Sequence, residues 1–179
     1  HLGDYQPFEG IVLTDTFQLA ETVGTMDAAY FPENRERVQR QQASDIRVIL
    51  GNPPYSAGQT SENDNNQNQK YPAVDQRITD TYVAKGTATN KNSLYDSYYR
   101  AFRWAADRLR DTGIVAFVSN GGWIDSNSAD GFRLALEDEF DEIWVYNRRG
   151  NARTSGEQRR KESGNVFESG SRATVAITL

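Results

Sequence analysis

The sequence contains no cysteine, and its one histidine is residue 1. The first absence excludes disulfides and thiolate metal sites. The second removes the commonest general base and zinc ligand from the interior of the chain. Long apolar runs are missing too. Nothing approaches the ~18 residues of a membrane span, and the N-terminus lacks the charged-then-apolar order of a signal peptide. A cytoplasmic protein with no metal and no membrane partner is the expectation. Apolar residues make up only 37% of the 179, against 25% charged, so much of the chain is surface or loop around one core of ordinary domain size. The formal charge of -5 excludes a uniformly basic nucleic-acid coat, but the charge is unevenly spread. Acids cluster at Glu137-Asp138-Glu139, Asp141 and Glu142, whereas Arg148, Arg149, Arg153, Arg159, Arg160 and Lys161 share one short stretch.

Hydrophobic patterning supplies the elements. Gly10-Ile11-Val12-Leu13 reads as a short buried strand, followed by the polar turn Thr14-Asp15-Thr16. Residues 33 to 43 are mostly Arg, Gln and Glu, so any helix there lies on the surface. Ile46-Arg47-Val48-Ile49-Leu50 predicts a strand, stopped by Gly51 and a double proline. Residues 57 to 70 carry no large apolar side chain before the next segment and predict a mobile polar loop. Residues 71 to 91 have no decisive pattern. From about Ser93 to Arg110, apolar residues at three- and four-residue steps predict a helix, capped by Asn92 or Ser93 and closed by Gly113. Ile114 to Val118 is continuously apolar, as in a parallel strand covered on both faces. A shorter helix over 128 to 139, a strand at Ile143-Trp144-Val145-Tyr146, an Arg-rich connector over 148 to 164 and a final strand from Ala173 to Leu179 complete the series. The alternation indicates an α/β doubly wound, Rossmann-like sheet in one domain over 1–179.

Asn52-Pro53-Pro54-Tyr55 follows the strand that ends at Gly51. Asn and Pro are common turn formers, so alone the tetrapeptide reads equally well as a strand-ending turn. Its place at the carboxyl end of a strand in an open α/β sheet, where ligands bind, favours chemistry. The residue types suit one task. An exocyclic base amine is a weak nucleophile because its lone pair is delocalised into the ring. Two carbonyl acceptors on its two hydrogens favour a tetrahedral, more negative nitrogen in the transition state. Asn52 offers a side-chain carbonyl, and Pro53 a main-chain carbonyl in a stiffened backbone. Tyr55 offers a flat face for a base removed from the duplex. No general base is needed, which matches the composition.

The tetrapeptide resembles the catalytic motif of the amino-group methyltransferases that use S-adenosylmethionine (SAM). Further segments resemble the adenine-specific group in the expected order: Ser93-Leu94-Tyr95-Asp96-Ser97-Tyr98, Gly113 to Asn120, and Asn165-Val166-Phe167 ahead of Ala173-Thr174-Val175-Ala176-Ile177. Tyr146 to Arg153 and Gly164 to Phe167 resemble the methyltransferase region of the single-polypeptide helicase–methylase restriction enzymes, the type ISP group. The resemblance implies methyl transfer from SAM to the amino group of a flipped adenine in double-stranded DNA. By position it makes Asn52 and Pro53 the amine acceptors, and Tyr55 and Phe167 the groups that stack on or pack against the base. Asp15 becomes the acceptor for the amino group of the cofactor's adenine, with Pro54 and Tyr98 lining that pocket. An Asx turn at Asp15 and core packing of Tyr98 are the plainer alternatives. Arg148, Arg149, Arg153, Arg159 and Arg160 are the implied phosphate contacts, a solvated connector being the plain reading.

The resemblance also implies something left out. The family's sheet begins with a Gly-rich loop for the methionine part of SAM, and no such loop precedes Asn52. The chain thus resembles the C-terminal catalytic half of the fold, with an antiparallel last strand. Weak or no SAM binding, self-association through an uncovered strand edge, and flanking helicase, nuclease and specificity domains in a parent chain are the corresponding expectations. The same motif also acts on protein glutamine or RNA guanine in related enzymes, and a non-catalytic DNA-binding accessory domain is the alternative from a different class.

Overall fold

The computed structural model describes residues 8–21, 31–54, 70–149 and 174–179. In chain order these form α1 (Pro32–Ala43), β1 (Val48–Gly51), α2 (Pro72–Ile78) continued by a π-helical turn (Thr79–Val83), α3 (Ser97–Arg108), β2 (Ile114–Asn120), α4 (Asp130–Glu139), β3 (Val145–Arg149) and β4 (Val175–Thr178). The strands make one mixed sheet in the order β1-β2-β4-β3. β1 and β2 are parallel, and β4 is antiparallel to both of its neighbours, as expected for the last strand. The expected α/β fold is therefore what these residues adopt.

The core lies between one face of this sheet and the helices. α3 lays Phe102 edge-on against Phe117 of β2, with ring centroids 5.0 Å apart. Phe132 of α4 is the hub of the cluster, fully buried and edge-on to Tyr82, Tyr99 and Trp123 as well as packed on Phe102. α1 buries no residue, as its composition predicts.

Four expectations are corrected. Residues 10 to 13 are not a buried strand: Ile11 and Leu13 are exposed. The Leu13 amide and carbonyl are paired instead with the side-chain amide of Asn34 on α1, at 2.7 and 2.8 Å, so a side chain stands where a neighbouring strand would. The helix predicted from Ser93 is split. Asn92–Tyr95 is a separate 3₁₀ turn, Asp96 is extended, and α3 restarts at Ser97 with the Asp96 carboxylate accepting from the Tyr98 amide. Gly113 does not close α3, which ends at Arg108. It sits where a Cβ would stand 2.8 Å from the Arg47 carbonyl, a close approach that holds the start of β2 beside β1. Finally, β2 is not covered on both faces. Val115, Phe117 and Ser119 are buried while Ile114 is half exposed, because the helices of the core occupy one side. Among the described residues the opposite side is only partly covered: Val48, Leu50, Ile114 and Ile177 are exposed and Ala116 and Val118 half-buried, while Val175 is buried. The Arg-rich segment opens inside β3, which extends through Arg149; residues 150–164 and the polar loop over 57–69 lie outside the described residues.

Candidate active site

β1 and β2 run parallel, with Gly51 opposite Phe117, so both deliver their carboxyl ends to the same edge of the sheet. Asn52, Pro53 and Pro54 follow β1 there outside any helix or strand; Asn52 and Pro54 are exposed and Pro53 is buried between them. The pattern is what two prolines after a strand produce. They cannot continue a ladder, and each restricts the residue before it. The buried proline fixes the segment while the Asn52 carboxamide stays accessible. Gly51 allows the approach to the sheet, since a Cβ on it would stand 3.1 Å from the Phe117 ring.

The end of β2 is built differently. The Asn120 side chain accepts from the Gly122 amide at 2.8 Å and caps a short 3₁₀ turn, Gly121–Trp123. The Gly121 amide donates to the Thr174 carbonyl just before β4. Arg133 of α4 then donates to the carbonyls of Trp123 and Ser126, which holds the following loop. Two polar, Asn-marked strand ends thus share one edge of the sheet.

Asp15 makes the Asx turn that its sequence allows: its Oδ1 accepts from the Phe17 amide at 3.0 Å. Its Oδ2 accepts from the hydroxyl of Tyr71 at 2.7 Å. Burial, reinforced by the hydrogen bond to Asp15, raises the Tyr71 phenol well above its ordinary pKa. Tyr98 is a core residue, 5% exposed, stacked on Tyr99 with ring centroids 4.1 Å apart. Burial raises its phenol above the ordinary range and pushes the Tyr99 phenol up to about 12. Any share Tyr98 has in a ligand pocket is that of wall. Arg148 is exposed on β3 with its guanidinium 5.7 Å from the centre of the Tyr146 ring. Arg149 is the last residue of that strand. Tyr55, Arg153, Arg159, Arg160 and Phe167 lie outside the described residues.

The family model described as the Eco57I restriction-modification methylase matches residues 9–149, most of the chain. The chain belongs to that family. Comparison with curated proteins gives no match. Among solved structures, the chain is similar to a nuclease-deletion mutant of the Type ISP restriction-modification enzyme LlaGI in complex with a DNA substrate mimic, at 53% identity and a TM-score of 0.90 over 97% of its length. It is similar to the DrdV–DNA complex at 48% identity and a TM-score of 0.88 over 98%. The third is LlaBIII, an ATP-dependent Type ISP restriction-modification enzyme bound to DNA, at 46% identity and a TM-score of 0.89 over 97%. The chain spans only 14%, 17% and 11% of those three chains. As a member of a methylase family it implies a methyl donor.

Two residues of the site were not singled out from sequence. Tyr71, the partner of Asp15, lies 56 positions away in a stretch with no decisive pattern. Glu21 accepts from the Ala73 and Val74 amides at the first turn of α2, where a carboxylate satisfies otherwise unpaired donors. The Pro72 that opens that helix was the available signal. Among the described residues no group of acidic or imidazole side chains is arranged to hold a metal ion, and no helix is long and apolar enough to cross a membrane.

Proposed function

We propose that this domain transfers a methyl group from SAM to the exocyclic amino group of an adenine turned out of duplex DNA. The observation that carries the reading is the exposed Asn52 held by a buried Pro53 at the carboxyl end of β1, within a methylase family. The Asn52 carbonyl accepts from one amine hydrogen and the Pro53 carbonyl from the other. Nitrogen electron density then localises toward the attacked methyl, an arrangement useful only in the transition state. Tyr55 and Phe167 are assigned to the faces and edge of the extruded base. Arg148, Arg149, Arg153, Arg159 and Arg160 are assigned to phosphates around it.

The described residues fit part of the cofactor. The Asp15 carboxylate has two of its roughly four lone-pair positions engaged and keeps acceptor capacity for the amino group of the cofactor's adenine. Pro54, exposed two residues after Asn52, is assigned the apolar surface for the ring. No Gly-rich loop for the methionine end occurs among the described residues. When bound, SAM supplies the electrophilic methyl. DNA as the substrate is supported by the family and by three similar enzymes whose structures contain DNA or a DNA mimic. We assign helicase, nuclease and specificity functions to the rest of a longer polypeptide, supported by the small share of those three chains that this chain spans, and a cytoplasmic setting to the whole.

The test is transfer of labelled methyl from SAM to duplex DNA by the full-length natural enzyme, with RNA and protein acceptors in parallel. We expect label in DNA adenine, and a loss of roughly 10²–10³ in rate for Asn52→Ala with DNA binding retained. Label in RNA or protein alone, or full activity of Asn52→Ala, would falsify the reading.

A further inference from the structure

We propose that Tyr71 is a positioning residue for cofactor binding, fixing the Asp15 carboxylate in the orientation that receives the amino group of the cofactor's adenine. The proposal rests on the role given to Asp15 above. Asp15 lies in a stretch with no regular strand to hold it, so its side chain needs an external brace. The Phe17 amide fixes one oxygen at 3.0 Å, and the Tyr71 hydroxyl fixes the other at 2.7 Å. Two donors from different directions leave the carboxylate one orientation.

The Tyr71 ring is itself buried and held by two neighbours. It is 4% exposed, the Phe17 ring meets it edge-on at 5.1 Å, and the Arg100 guanidinium lies 5.4 Å from its ring centre. Arg100 cannot swing away, because it is bonded to both oxygens of Asp75 on α2, at 2.7 and 3.0 Å. The raised pKa of the phenol keeps it a donor throughout the neutral range. Glu21, accepting from the first amides of α2, pins the same segment a second time. Asp15 is thus presented by a braced frame running back to α2 and α3, and among the described residues only Phe17 and Tyr71 donate to its carboxylate, which keeps acceptor capacity for a ligand donor. Fixing an acceptor before binding removes the entropy of ordering it from the cost of binding.

The experiment measures SAM binding to the full-length enzyme by calorimetric titration, and methylation at varied SAM beside it, for Tyr71→Phe, Asp15→Asn and the double variant; Kd is expected to move with KM. Tyr71→Phe keeps the ring and removes only the hydroxyl, and a melting curve checks that it folds. We expect Tyr71→Phe to raise KM for SAM roughly five- to tenfold with kcat unchanged at saturation, and the double variant to be no worse than Asp15→Asn alone, the non-additivity of residues acting through one another. An unchanged KM for Tyr71→Phe beside a raised KM for Asp15→Asn overturns the proposal and leaves the Asp15 reading intact. Multiplying effects in the double variant overturn it too, since Tyr71 then acts elsewhere. An unchanged KM for Asp15→Asn overturns the Asp15 reading itself.

Discussion

Gly51 and Phe117 face each other across β1 and β2, and the phenylalanine ring occupies the space that a Cβ on Gly51 would need, 3.1 Å away. The ring has nowhere to retreat, being 5% exposed and edge-on to Phe102. Gly51→Ala therefore displaces either the ring or the strand end that carries Asn52. We expect a loss of roughly 1–3 kcal/mol in denaturant unfolding, the range for overpacking. A fall in methyl transfer should accompany it in the folded fraction. Unaltered stability would show that the strands have more freedom than their packing suggests.

Phe132 is the hub of the aromatic core, within 5.4 Å of Tyr82, Tyr99, Phe102 and Trp123 by ring centroid. Phe132→Ala removes buried surface and leaves a cavity among rigid rings that cannot collapse into it. The expected loss is about 3–5 kcal/mol, read from a urea or thermal transition.

Asp130 begins α4 and accepts from the side chain and the amide of Thr87, which lower its pKa from the ordinary 3.8 to about 2. A carboxylate whose folded pKa is depressed contributes stability above its unfolded pKa, and that contribution fades as pH falls through the folded value. The native chain should thus exceed Asp130→Asn in stability at neutral pH. The gap should close between about pH 4 and pH 2. Melts of both chains across that window check the sign, and a gap that widens on acidification would exclude it.

Among the described residues the less covered side of the sheet carries Val48, Leu50, Ile114 and Ile177, exposed by 54%, 72%, 50% and 42%. An apolar sheet face beside an edge of β1 that has no strand partner among the described residues is an association hazard for this chain alone. We expect concentration-dependent self-association by light scattering, reduced by Leu50→Lys. A monodisperse monomer at high concentration would contradict this.

The strand β1 and the point where it stops were legible because a β-branched apolar run ends at Gly-Asn-Pro-Pro, where local chemistry alone sets the boundary. Residues 10 to 13 misled because three apolar side chains after a glycine do not reveal whether a neighbouring strand exists; Leu13 finds its partner in Asn34 instead. The split before α3 turned on Asp96 outcompeting Asn92 and Ser93 as a cap, a contest between three suitable residues that sequence order does not resolve. The half-bare face was missed because a continuous apolar run records how many faces a strand could bury, not how many helices are present to bury them. Tyr71 and Asp15 meet only through tertiary structure, so nothing local to either marks the pair.

The insertion of β4 between β2 and β3 has a consequence for synthesis. Among the described residues β3 is paired only with β4, although β3 is made earlier. While residues 174–179 are still inside the ribosome, β3 has emerged with its partner yet to come. The sheet described here cannot close during translation until its final strand is released, and an emerging chain carries unpaired strand edges, a state open to misassembly. A pause or truncation before residue 174 would leave β1 and β2 with the proposed chemistry and β3 with nothing to join it to them.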